Sequence, residues 1–285
     1  MKFFSPTHIE EAVSLLAGNP GARCISGGAT LVAMMNAELV EVPALVSLRK
    51  ISRLRGISHD GQMLRIGAMT THRAVARATE LAAGWSGVRR AASQIAHPGV
   101  RTMGTIGGSI SHADPAADYP AALVAADAIV EIAGPDGRRQ VRAEDFFLDY
   151  YTTSLAEGEL VTAVLLPPAP PGAVGVHRKL ARTDGDFATA SVSLVLALQG
   201  EICSHVRIAV GGCGATPVRV AAAEALLIGQ PLSADRVHQA GELLAAACDP
   251  IDDVRGSAAY RLALVPRLLR QAINWAAAEA TAGGA

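Results

Sequence analysis

The sequence predicts an α+β fold, and three features of its order carry that prediction. Strand-like runs over residues 176–181, 188–199 and 203–210 precede helical stretches that begin at Pro217, Ser233 and Ser257. Strands first and helices afterwards favour segregated elements over a wound βαβ sheet. The run Pro167-Pro168-Ala169-Pro170-Pro171-Gly172 can continue neither a helix nor a central strand, so it divides the chain. Ahead of that division, short strands and helices build a small α/β lobe leading into a second one.

Thr7-His8-Ile9-Glu10 has capping-box spacing, and Ile9, Val13 and Leu16 line one helical face until Gly18-Asn19-Pro20 stops it. A strand over 22–26 then runs into the glycine pair Gly27-Gly28, and 44–48 reads as another strand. Residues 54–57 pair with 64–68 across His59-Asp60-Gly61. Helices follow over 71–82 and 86–96, broken by His97-Pro98-Gly99, and the second pair, Gly107-Gly108, comes directly after. Both glycine turns are thereby expected in loops, where binding residues gather. A helix at 121–126 leads to a hairpin of 129–133 and 138–141 around Gly134-Pro135-Asp136-Gly137. In the last helix Pro266 removes an N–H and crowds the preceding turn, about 3 kcal/mol unless the helix bends, which predicts a kink.

Composition excludes several functions. Half of the 285 residues are apolar, enough for a substantial core. Lys+Arg 25 against Asp+Glu 26 leaves a net charge of −1, with no positive field to gather nucleic acid or an anionic membrane. The start Met1-Lys2-Phe3-Phe4-Ser5-Pro6 offers no apolar signal-peptide core, so a cytoplasmic location is expected. The longest uncharged apolar stretches, 160–176 and 187–198, are too short or proline-broken for a membrane span. Cys24, Cys203, Cys213 and Cys248 form no C-x-x-C, and the histidines no H-x-x-x-H, so no metal is expected in this chain. Walker A and G-x-S-x-G motifs are also lacking.

What remains is the pair of glycine turns. Glycine admits positive φ and lets amides approach an anion with no Cβ in the way, while Ser26, Thr30, Thr105 and Ser109 add hydroxyl donors. Two such turns can close on one diphosphate from both sides. Just beyond the second, Asp114 and Asp118 read either as helix-capping loop residues or, for Asp118, as an acceptor for sugar or ribityl hydroxyls. Gly211-Gly212-Cys213-Gly214-Ala215-Thr216-Pro217 is read as structural, with Thr216 as N-cap and Pro217 as first helical residue. Lys179 is either a surface charge on a strand or a group reaching a bound cofactor.

Ser26-Gly27-Gly28-Ala29-Thr30-Leu31, Ile66-Gly67-Ala68 and residues 104–120 and 179–188 resemble the FAD-binding medium subunit of molybdenum hydroxylases. That family includes the flavoprotein subunit of aerobic carbon monoxide dehydrogenase and the central FAD domain of xanthine dehydrogenase. The Thr-Ile-Gly-Gly run followed by Ala-Asp-Pro and a further Asp is the most specific part, and the similarity covers nearly the whole chain. The resemblance implies a two-subdomain FAD-binding fold of the vanillyl-alcohol-oxidase/PCMH type over 1–56 and 57–172. A C-terminal α+β flavoprotein domain, an antiparallel sheet with helices, would occupy 173–285.

The same resemblance implies FAD as the cofactor of this chain. Ser26, Gly27, Gly28, Ala29, Thr30 and Leu31, with Thr105, Ile106, Gly107, Gly108 and Ser109, would bind its diphosphate and neighbouring atoms. Asp118 would hold ribityl or sugar hydroxyls, and Val161 and Lys179 would approach the flavin, with Ile95 and Phe187 as apolar neighbours. No catalytic acid, base or nucleophile is assigned. A large molybdopterin subunit and a small [2Fe-2S] subunit are the implied partners, as a dimer of heterotrimers delivering electrons to an external acceptor. The substrate would be carbon monoxide, an N-heteroaromatic compound, a purine or an aldehyde. The chain departs from the family pattern at Ala29, commonly His or Gln, and at Ser109, often Asn. A stand-alone FAD-dependent oxidoreductase and a non-catalytic nucleotide-binding module are the alternatives.

Overall fold

The computed structural model describes residues 1–282. The chain opens with β1 (Lys2–Phe4), α1 (Ile9–Ala17), β2 (Arg23–Ile25), α2 (Leu31–Asn36) and β3 (Ala44–Ser47). The three strands form a parallel sheet in the order β1-β3-β2, and the helices supply the crossovers that parallel pairing demands. The capping of α1 is one residue later than its sequence suggests. His8 is the N-cap without a side-chain bond, and Glu11 reaches back to the Thr7 N–H at 2.9 Å. Ile9, Ala12, Val13 and Leu16 bury the inner face as the periodicity requires.

A second sheet takes β4 (Ile57–Asp60), β5 (Met63–Gly67), β6 (Ile129–Gly134), β7 (Gly137–Arg142) and, after β8 (Phe147–Asp149) and β9 (Thr152–Thr153), β10 (Leu160–Leu166). Its order is β4-β5-β10-β6-β7, with every pair antiparallel. The first hairpin pairs Asp60 with Met63, so its strand starts at Ile57 rather than at Leu54. A two-residue loop with Gly61 at φ +59° draws the ladder out to Asp60. Between the two halves of this sheet run α3 (His72–Arg77), α4 (Ser86–Gln94), α5 (Pro98–Met103), α6 (Ile106–His112) and α7 (Asp118–Ala125), and the short α8 (Ala143–Phe146) follows β7. Every residue of α7 is buried, because it lies between α4 and the strands of a third sheet.

That third sheet is antiparallel: β11 (Val174–Leu180), β12 (Ala190–Gln199) and β13 (Ile202–Gly211) in chain order. α9 (Ala221–Ala225), α10 (Ala234–Ala246) and α11 (Ala258–Ala282) follow, and the apolar sides of α10 and α11 bury Val237, Leu244, Val265 and Leu269 with Val192 and Leu194 of the sheet. Strands then helices is the α+β order expected. The helix foreseen from Pro217 is not there, because Val218 exchanges both backbone hydrogen bonds with Val210, at 2.8 and 2.9 Å, and holds that segment extended. Ser233 does cap α10, accepting the Arg236 N–H. α11 continues through Pro266 for 25 residues, so the proline does not divide it.

Among the described residues no helix is long and apolar enough to cross a membrane, and no His/Cys/Asp/Glu group could hold a metal ion.

The contact between α10 and α11 is tightest at Gly241, where an added Cβ would lie 2.7 Å from the Pro266 Cα. Backbone cannot retreat as a flexible side chain can. Gly241→Leu should therefore cost about 1–3 kcal/mol, read as a lower midpoint in thermal or urea unfolding. An unchanged midpoint would contradict the packing described.

Candidate functional site

A cleft of about 1080 Å3 opens between the parallel sheet, the α6–α7 region and the start of β10, and both glycine motifs line it. Cofactor pockets span roughly 300–1,000 Å3, so the space suits a ligand of dinucleotide size. From the first motif Ser26, Gly27, Gly28, Ala29, Thr30 and Leu31 all face it, and from the second Thr105, Gly107, Gly108 and Ser109. Asp118 and Val161 line it too, as do Ile95 and Phe187.

The first loop carries the donors. β2 ends at Ile25 and the chain must turn into α2, which Gly28 permits at φ +74°. Gly27 is required for space, because a Cβ there would overlap the Met103 carbonyl. Among the described residues, the amides of Gly27, Gly28, Ala29, Thr30 and Leu31 donate to no backbone acceptor, and Thr30 provides no side-chain cap. Successive free amides of this kind make an anion-binding concavity.

The second motif differs from expectation. Gly107 and Gly108 are not a loop but the first turn of α6, capped by Thr105, and neither has positive φ. Its amides are consumed internally: Ile106 N–H bonds Thr70 O at 3.0 Å, Gly107 N–H bonds Ala68 O at 2.9 Å, and Ser109 N–H bonds Thr105 O at 3.0 Å. Gly108 N–H donates to Thr105 Oγ1 at 3.1 Å. The motif therefore contributes surface and hydroxyls rather than a second set of amides. Its glycines serve close approach, since a Cβ on Gly107 would lie 2.6 Å from the Ala68 Cβ and one on Gly108 2.8 Å from Ser26 Oγ. Ile106 points into the core, fully buried and off the cleft. The two motifs touch directly, because the Thr105 hydroxyl donates to Ser26 Oγ at 3.2 Å.

Asp118, the first residue of α7, is 4% exposed. Its Oδ1 accepts from His177 Nε2 at 2.9 Å and its Oδ2 from Lys179 Nζ at 3.0 Å. Lys179 also donates to Gln94 O at 2.9 Å and Asp186 O at 2.8 Å. An ammonium has three N–H donors, and all three are spent within the protein. Lys179 thus stands behind the cleft wall rather than on it.

His72, His177 and Tyr119 went unnoticed in the sequence. His72 lines the cleft with Nδ1 3.2 Å from the Tyr119 hydroxyl. Burial pushes its imidazole down to about 4, outweighing the opposing pull of Asp118. Burial, and secondarily the Asp118 charge, holds the Tyr119 phenol well above its ordinary range. Cys24 also borders the cleft, and burial pushes its thiol up to about 12, which favours the protonated form. The Gly211-Gly212 turn lies off the cleft, and Gly212 N–H bonds Pro115 O at 3.0 Å, so the turn packs against the chain without the helix cap foreseen at Thr216-Pro217.

Residues 1–169 match the family model described as the FAD binding domain in molybdopterin dehydrogenase, and residues 176–276 match the CO dehydrogenase flavoprotein C-terminal domain. The chain is 35% identical to the carbon monoxide dehydrogenase medium chain of Hydrogenophaga pseudoflava, over 96% of this chain and 97% of that one. It is 36% identical to the nicotine 6-hydroxylase medium subunit of Paenarthrobacter nicotinovorans, over 96% of each. A chain of a crystallised Cu,Mo-CO dehydrogenase superposes with a TM-score of 0.95 at 36% identity, over 98% of both.

The His72 environment generates a pH dependence. Its folded value of about 4 lies below the ordinary 6.5, so the unfolded chain binds the proton first as pH falls. Its contribution to stability is complete above pH 6.5 and is lost as pH drops toward 4, on the order of 3 kcal/mol in all. Urea unfolding of the wild type and His72→Gln at pH 7 and pH 4 should show the variant losing less stability on acidification. Equal losses would place His72 in water.

Proposed function

Since the chain belongs to the FAD-binding medium subunits of the molybdenum hydroxylases, we propose that its cleft seats FAD with the diphosphate on the amides of Gly27 to Leu31. The carrying observation is the run of unpartnered amides on the wall of a dinucleotide-sized cleft. Ser26 and Thr105 bring hydroxyls to the same point, and Ser109 lines the wall beside them. Asp118 accepts hydrogen bonds from ribityl or sugar hydroxyls, a role open to it because a carboxylate has about four acceptor sites and the protein fills two. Val161, Ile95 and Phe187 give apolar walls for the ring. Lys179 acts through Asp118, and the Ala29 amide is unaffected by the loss of a longer side chain there.

Bound FAD supplies redox chemistry that takes electrons singly from iron–sulfur clusters and hands them on singly or in pairs. The protein binds and orients it and contributes no acid, base or nucleophile. In the complete enzyme a large molybdopterin subunit oxidises or hydroxylates the substrate, and a small [2Fe-2S] subunit feeds this chain. We place the three in a dimer of heterotrimers serving an external acceptor. The substrate belongs to the large subunit, and relatives named for carbon monoxide and nicotine match this chain over 96% of its length. Four unpaired cysteines suit the reducing cytoplasm. We divide the chain into 1–56, 57–172 and 173–285, a reading supported by one main sheet in each part.

The purified chain should be yellow, or become so with FAD, and its flavin should be bleached by substrate only when the partner subunits are present. Bleaching by a small substrate in their absence would favour a stand-alone oxidoreductase, and no FAD uptake would end the proposal. Gly108→Val should weaken FAD binding on the order of 100-fold, because its side chain forces Ser26 and Thr105 apart and displaces charge-assisted bonds of about 1.5–3 kcal/mol each. Wild-type affinity in a folded Gly108→Val chain would contradict the site.

A further inference from the structure

We propose that His177 is a positioning residue for the cofactor: its Nε2–H holds the Asp118 carboxylate in one orientation, so that the C-terminal sheet sets how the cleft wall accepts the dinucleotide's hydroxyls. This rests on FAD being the occupant of the cleft.

His177 and Lys179 are two residues apart on β11, so both project from one face of the strand toward the start of α7. Each takes a different oxygen of Asp118, at 2.9 and 3.0 Å, and the His177, Lys179 and Asp118 side chains are 0%, 5% and 5% exposed. A carboxylate held by one donor can swing about its last torsion. Two donors on two oxygens fix its plane, and the remaining acceptor directions are those left for a ligand.

The ring of His177 is itself held. Ser193 is its cross-strand partner on β12, with Oγ 2.8 Å from Nδ1. A carboxylate only accepts, so Nε2 carries the proton toward Asp118, while the hydrogen bond between Nδ1 and Ser193 Oγ holds the other side of the ring. Serine, histidine and aspartate therefore stand in line without forming a nucleophilic triad, because Ser193 and His177 are each 1% exposed and no substrate can reach the hydroxyl. The order of bonds runs from the sheet to Asp118, and Asp118 alone of the three lines the cleft. Lys179 joins the same point to Gln94 O and Asp186 O, whose neighbours Ile95 and Phe187 also line the cleft.

The test is FAD affinity and the visible flavin spectrum of the reconstituted full chain, for the wild type, His177→Leu, His177→Gln, Asp118→Asn and the double variant Asp118→Asn/His177→Leu. His177→Leu, which fills the space without a donor, should weaken binding about ten-fold or more and shift the flavin bands as Asp118→Asn does. His177→Gln should restore affinity to within about three-fold, since its amide N–H can reach Oδ1. In the double variant His177→Leu should add less than about two-fold to the loss from Asp118→Asn, the mark of two residues acting as one. Should His177→Leu fail to fold, Ser193→Ala frees the ring and is expected to weaken binding and shift the bands in the same sense. Undiminished affinity in His177→Leu or, in that event, in Ser193→Ala would overturn the proposal, as would losses that multiply in the double variant or no recovery with His177→Gln. Failure of the wild type to bind FAD would instead sink the functional reading beneath it.

Discussion

A backbone N–H that its own chain does not satisfy must find an acceptor elsewhere, and Gly27 to Leu31 present a run of such groups to one cleft. The rest of the site depends on that run. β2 delivers the chain to the cleft, Gly28 turns it, and α2 carries it away before the amides can enter a ladder. Seated anywhere else, the same segment would be a costly defect. On the proposed function it is the part of the protein that a diphosphate completes.

Close approach is the second constraint, and it explains the other glycines better than torsional freedom does. Gly27 abuts the Met103 carbonyl, Gly107 abuts Ala68, and Gly108 abuts the Ser26 hydroxyl. The Gly27 and Gly108 contacts bring the loop after β2 against the end of α5 and the start of α6, and Thr105 bonds Ser26 across the gap. From the opposite side β11 reaches Asp118 with His177 and Lys179. The cleft is thus lined by segments next to the parallel sheet, by the five-stranded sheet and by the loop between β11 and β12, with β11 behind its wall, and nearly full-length similarity to medium subunits accords with a fold in which no part of the site stands alone.

The sequence revealed most where local chemistry and tertiary role coincide. Thr-Ile-Gly-Gly and Ser-Gly-Gly stand out because glycine beside hydroxyls has few uses, and both reach the cleft. Their geometry was less legible, since Thr105 before two glycines looks the same whether it heads a loop or caps a helix. β10 went unrecognised because a strand buried on both faces shows no alternation. The pairing of Val218 with Val210 overrode a good N-cap sequence at Thr216-Pro217. His177 left no signal at all, because nothing local marks a histidine on an apolar strand whose partner lies 59 residues earlier.

The most direct measurement is a 1H–15N titration of the deuterated chain with FAD, following amides of the two glycine motifs separately. The account predicts large downfield shifts of the Gly27 to Leu31 amide protons, as phosphate oxygens become their acceptors, and little change for Ile106 to Ser109, whose acceptors are already within the protein. The reverse pattern, or shifts confined to neither motif, would contradict it.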